Sequence, residues 1–153
     1  LHGIAAFYAA MTSDWAEAPK SAEDYFKYDG REEPLRLATN LLVPGVLYQM
    51  GENDTARGRL QGFCGQTNIS WYRQICETLL EDQSEEALME KAGTNPENIL
   101  TAYTALGFRA ESKGEKDRAI RHYREALGSY LDNWIEYNLA LQRYIALRSR
   151  EKE

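Results

Sequence analysis

The chain contains only two histidines, two cysteines and four prolines, and no run of consecutive apolar residues as long as the roughly 18 that mark a membrane-spanning helix. Each shortage removes a class of function. Nucleophilic catalysis needs a base held beside the nucleophile, and the only imidazoles are His2, at the terminus, and His122. The latter lies between Arg121 and Tyr123 on a helix whose apolar stripe it does not join, and it reads as a solvated surface histidine. Metal ligation lacks its patterns, with no HxxxH, no HExxH and no cluster of cysteine and histidine. Cys64 and Cys76 stand twelve apart, without CxxC or metal spacing, so neither a disulfide scaffold nor a zinc site is indicated. Gly58, Gly62 and Gly65 spell neither GxxxxGK[ST] nor GxGxxG, which leaves no phosphate-binding loop. No catalytic set, no cofactor site and no metal site emerge, and the chain reads as a non-enzyme.

Positive charge is also short. With 24 acidic against 18 basic side chains and a formal charge of -6, the chain repels a phosphate backbone, so nucleic acid and anionic membranes are poor partners. The N-terminus lacks the charged start, apolar run and cleavage site of a signal peptide. Beginning at Leu1 inside what reads as a helix, the sequence is expected to be a piece of a longer protein, and its compartment stays open.

What is present is helical periodicity. The 153 residues are 43% hydrophobic, enough to bury a core. Prolines and glycines sit between runs whose apolar residues recur every three or four positions, which predicts an all-α chain. Over Asn98 to Ser112, Ile99, Leu100, Tyr103, Leu106 and Ala110 share one face, and a turn follows at Lys113-Gly114-Glu115. The next helix carries Ala119, Ile120, Tyr123, Ala126 and Leu127 as a second stripe, with Gly128 suited to a C-cap. Asn95-Pro96-Glu97 places a capping side chain before a first-turn proline and an acid near the positive helix end. Asp132-Asn133 opens a last helix to about Arg148, which is expected to present Trp134, Tyr137, Leu141, Tyr144 and Ile145 to its neighbours while residues 148 and 150–153 trail into solvent.

Residues Leu100 to Leu131 resemble a tetratricopeptide repeat through Tyr103, Leu106, Gly107, Gly114, Ala119, Ile120, Tyr123, Ala126 and Leu127. The residue types have physical reasons. Gly107 and Ala119 are small where two helices cross closely, Gly114 permits the turn, and Tyr123 fills the gap to the next unit. Ala119, Ala87, Ala56 and Ala18 align at successive offsets of 32, 31 and 38 residues, near the family's period of roughly 34, and Gly51 takes the turn-glycine role in the second copy. The resemblance implies one domain over 1–153, an α-α superhelix of about four helical hairpins (1–30, 34–66, 68–97 and 98–131) with a capping helix at 132–149. Pro44 lies inside the first helix of the second hairpin, and a bend or break is expected between Asn40 and Pro44, since an interior proline costs about 3 kcal/mol.

In the resembled family the first helix of each hairpin lines a concave groove that binds another protein. Carried over, the groove residues are Phe7 and Met11, Leu41 and Tyr48, Tyr72, Arg73 and Cys76, and Thr104, Phe108 and Glu111, extended by Asn138 and Gln142. Arg36 and Asn40 superficially resemble the clamp by which one subtype holds a C-terminal carboxylate, but Thr104, Phe108, Gly3 and Phe7 stand where basic or amide groups belong. A mixed aromatic and polar groove suits a hydrophobic or amphipathic peptide. The implied function is a protein-interaction module or scaffold, without insertion into a membrane. The alternatives are a structural element that forms a homo-oligomer and a regulatory segment of a larger enzyme.

Overall fold

A computed structural model describes residues 2–29 and 33–150. Leu1, Gly30, residues 151–153 and the side chains of His2 and Arg150, to which the sequence assigned a hairpin boundary, a terminal histidine and a solvated tail, lie outside what is described. Among the described residues nine α-helices follow one another: α1 (His2–Met11), α2 (Glu17–Asp24), α3 (Glu33–Gln49), α4 (Asn53–Gln66), α5 (Ser70–Leu79), α6 (Glu85–Ala92), α7 (Pro96–Ser112), α8 (Lys116–Leu127) and α9 (Ile135–Arg150). A π-helical turn, Tyr25–Asp29, continues α2. No strand occurs among the described residues, and the fold is all-α.

Local chemistry sets several of the boundaries. Asn95 Oδ1 accepts from the N–H groups of Glu97 and Asn98 at 3.0 and 3.1 Å, capping α7 ahead of Pro96. Ser84 Oγ caps α6 by accepting from Ala87 N–H. Gly51 and Gly114 sit at φ of +78° and +75° in the turns after α3 and α7, a region that costs glycine little. At the end of α8, Gly128 is the C-cap but keeps φ at -65°. The left-handed residue is instead Tyr130, at φ +57°.

Two expectations require correction. The break expected between Asn40 and Pro44 does not occur: α3 is one helix from Glu33 to Gln49 with Pro44 inside it. Leu42, Val43, Val46 and Leu47 are buried on both sides of the proline, and at about 1.5–3 kcal/mol per buried aliphatic side chain their packing outweighs the local cost. α9 buries a different stripe from the one expected: Glu136, Leu139, Ala140, Arg143 and Leu147 face inward, Trp134, Tyr137 and Tyr144 are only partly buried, and Ile145 is exposed. The true stripe contains two charged residues, so hydrophobicity alone placed the face wrongly.

Helices pair as α1 with α2, α3 with α4 and α7 with α8, α9 packs on α8, α5 packs mainly on α4 and α7, and α6 packs mainly on α7. Small residues permit the closest pairing. A Cβ added to Gly107 would come within 2.7 Å of the Tyr123 ring, and Ala119 is fully buried. Ala56 and Ala18 are buried in the equivalent helices, but Ala87 is only half-buried and Leu88 and Ala92 take the inward positions of α6, a shift of one residue from the expected register.

The odd-numbered helices run in one direction. Trp71 Nε1 donates to Thr101 Oγ1 near the starts of α5 and α7, while Glu81, just past α5, pairs with Lys113, just past α7. Leu139 lies level with Phe7, and Arg143, one turn on, reaches Met11 and Ser13. The stacking is not in simple chain order. α7 packs on α3 as well as on α5, and α9 packs on α1 as well as on α7, so α1, α3, α7 and α9 form a ring of contacts. The main core lies among these four helices and their partners, with smaller clusters around Leu60 and Phe63 and around Ile75 and Leu88.

The α3–α7 contact depends on Gly45. A Cβ there would come within 2.7 Å of Phe108 Cε1 and closer still to Cδ1. Gly45→Ala is expected to destabilise the fold by about 1–3 kcal/mol through overpacking, read as a lower urea midpoint.

Candidate functional site

The inward faces of the five odd-numbered helices meet at one cavity. Its wall is supplied by Phe7 from α1, Leu41 and Leu42 from α3, Tyr72 from α5, Thr104 and Phe108 from α7, and Glu136 and Leu139 from α9. The space is about 30 Å³, room for a water molecule or a methyl group. Leu41 and Ala105 are only half-buried and form the rim.

Three polar groups interrupt the apolar wall. Thr104 Oγ1 is buried without a hydrogen-bond partner. Burial, followed by the charges of Glu136 and Glu97, pushes the Tyr72 phenol well above its usual range. Glu136 is 9% exposed, and burial raises its carboxyl to about 7 against the backbone N–H that favours the charged form. A carboxyl poised near neutrality beside an orphaned hydroxyl is a polar anchor within an otherwise greasy space.

Of the groove residues read from sequence, Phe7, Leu41, Tyr72, Thr104 and Phe108 come together in this cavity. The remainder do not. Met11 and Tyr48 are buried in the main core, Tyr48 beneath the Arg109 guanidinium, whose carbon lies 3.6 Å from the ring centroid. Cys76 is buried between α4 and α5, and Arg73 points outward and donates to the Thr67 carbonyl at 2.7 Å. Asn138 donates to the carbonyls of Asp132 and Trp134, and Gln142 is exposed. Even within the cavity, Phe7 and Phe108 are 1% and 4% exposed, so they act as wall and core together.

Glu111 has a role that the sequence did not signal. Its carboxylate receives the guanidinium of Arg143, Nε at 3.1 Å and Nη2 closer, and also the Tyr123 hydroxyl at 2.7 Å. Arg143 is 1% exposed. Its Nη1 donates to Ser13 Oγ at 2.6 Å and to the Met11 carbonyl, and its guanidinium carbon lies 4.9 Å from the Trp15 ring centroid. The fork thus ties α9 to α7 and to the turn after α1. Only the spacing of Arg143 with Leu139, Ala140 and Leu147 could have revealed it.

His122 is also not where the sequence put it. Its side chain is 14% exposed, its ring centroid lies 5.7 Å from that of Tyr103, and its Nε2 is 3.5 Å from a Glu85 carboxylate oxygen. Burial lowers its pKa, opposed by Glu85 and assisted by Arg118 and Arg121. Among the described residues no three or more potential metal ligands cluster, and no helix is long and apolar enough to cross a membrane. Comparison with protein-family models, with curated proteins and with solved structures finds no match to this chain.

Two outcomes follow from this geometry. Glu136 titrates at about 7 when folded, against an ordinary value of 4.5. The unfolded chain therefore loses this proton first, so stability falls as pH rises from about 4.5 to about 7 and stays lower above, by about 3 kcal/mol for one such group. Glu136→Gln should be more stable than the parent at pH 8 and equal to it near pH 4, checked by urea unfolding at both values. Removing one partner of the buried pair, as in Arg143→Met, should cost about 3–5 kcal/mol by stranding the Glu111 charge. Combining it with Glu111→Leu should recover part of that loss, as read by thermal and urea melts of the single and double variants.

Proposed function

We propose that the chain is a protein-interaction module, a tetratricopeptide-like array of helix pairs whose inward face holds a small apolar anchor of a partner peptide. The observation that carries this reading is the convergence of α1, α3, α5, α7 and α9, the first helix of each pair and the terminal one, on a single apolar cavity. In the resembled family that face receives the ligand. The contact of α9 with α1 closes the row, so the guest is a short side chain entering at the rim rather than a long segment lying in an open trough. Leu41, Leu42, Phe108 and Leu139 supply dispersion contacts, while the Thr104 hydroxyl and the Glu136 carboxyl orient a polar group next to the anchor. No chemistry is performed on the partner.

Selection from a random peptide library tests the reading. Recovered peptides should share a small apolar residue and should lose about tenfold or more in affinity for Thr104→Leu, which fills the cavity; about 1.4 kcal/mol corresponds to that factor. Circular dichroism of the variant should match the parent. Peptides that bind both chains equally, or a selection that yields none, would remove the cavity from the proposal.

A further inference from the structure

Cys64, near the end of α4, and Cys76, in the second half of α5, meet across the interface of these two helices. Each thiol reaches the backbone of the opposite helix one turn from the other cysteine. Cys76 Sγ donates to the Leu60 carbonyl at 3.1 Å, and Cys64 Sγ donates to the Arg73 carbonyl at 3.8 Å. Residue 60 therefore faces 76 and residue 64 faces 73, an antiparallel register that leaves the two cysteines on facing sides of α4 and α5, about one helical turn apart. Both are free thiols, and both belong to the cluster that includes Leu60, Phe63, Tyr72 and Leu80.

We propose that Cys64 and Cys76 are a redox-closable pair, a modification site at which a low-molecular-weight disulfide oxidises the chain to an internal disulfide that staples α4 to α5. Exposure assigns the order of events. Cys64 is half-buried and reachable, whereas Cys76 is 0% exposed. Cys64 releases its proton to solvent and attacks one sulfur of the external disulfide, expelling a thiolate and leaving a mixed disulfide. Cys76 then gives up its proton and attacks the Cys64 sulfur, expelling the second thiolate. The chain loses two hydrogens and two electrons, and the external disulfide becomes two thiols.

Burial first, then the neighbouring Cys64 thiol, pushes the Cys76 thiol up, so the second step is the slower one. The backbone around Cys64 can adjust to the new bond. Gly62 and Gly65 flank it on a face where an added Cβ would meet nothing within 4 Å, and glycines in a helix interior weaken it relative to alanine. Closure would tie the last turn of α4 to α5 across the linker at 67–69. This inference is independent of the peptide-binding reading.

The test treats the folded full chain with excess oxidised glutathione, and follows intact mass and the peptide map. The expected product is lighter by two hydrogens, carries a Cys64–Cys76 linked peptide and reverts with reductant. A glutathione adduct on Cys64 should precede it, and Cys76→Ala should stop at that adduct. A parent chain that remains fully reduced, that stops at the adduct or that dimerises through Cys64 would overturn the proposal, and none of these readings depends on the variant.

Discussion

The buried guanidinium of Arg143 is the point on which the tertiary arrangement turns. Four of its donor contacts are satisfied inside the molecule, by Glu111, Ser13 and the Met11 carbonyl, and its face lies over Trp15. A planar fork of this kind fixes direction as well as distance, so α9 can dock on α1 and α7 in one register. Trp15 in turn meets Phe108 edge to face, with centroids 5.8 Å apart, and Phe108 occupies the space that Gly45 leaves open on α3. Through this chain of contacts one ion pair holds the ring of α1, α3, α7 and α9 together. It stabilises only as a complete set, because a buried charge without its partner is costly.

That ring also explains why the cavity exists. Parallel odd-numbered helices bring side chains from five elements to the same height, and a row that closes on itself cannot be filled by neighbours from one side alone. The result is a small space whose wall is mostly apolar but includes an unpartnered threonine hydroxyl and a carboxyl that burial holds near neutrality. Polar groups left in such a place cost stability. The α4–α5 contact forms its own cluster, joined to the cavity through Tyr72, and its two thiols answer to a different chemistry.

The fourth hairpin was legible in close detail. Asn95, Pro96, Gly107, Gly114 and Ala119 each act through local geometry, as cap, turn or close crossing, and each occupies the place that geometry demands, while Tyr123, expected to fill the gap to the next unit, packs its ring on Gly107 of its own hairpin. Phe7, Leu41, Tyr72, Thr104 and Phe108 were anticipated among the cavity residues through the resemblance, whereas Leu42, Glu136 and Leu139 were not, because which helices face one another is set by tertiary packing. Tyr48, Met11 and Cys76 fall on similar stripes, yet neighbours cover them. Periodicity reports which residues share a side, not what stands opposite.

The sequence by itself determined that the chain is all-α and where α7 and α8 begin, turn and pair, since caps, turns and amphipathic stripes act over a few residues. Only the tertiary structure decided that α7 lies against α3, that α9 returns to α1, that Pro44 is carried through an unbroken helix and that Arg143 and His122 are packed inward. Those outcomes depend on contacts between residues far apart in the chain, where shape and charge pairing outweigh the local preferences that a single stretch of sequence expresses.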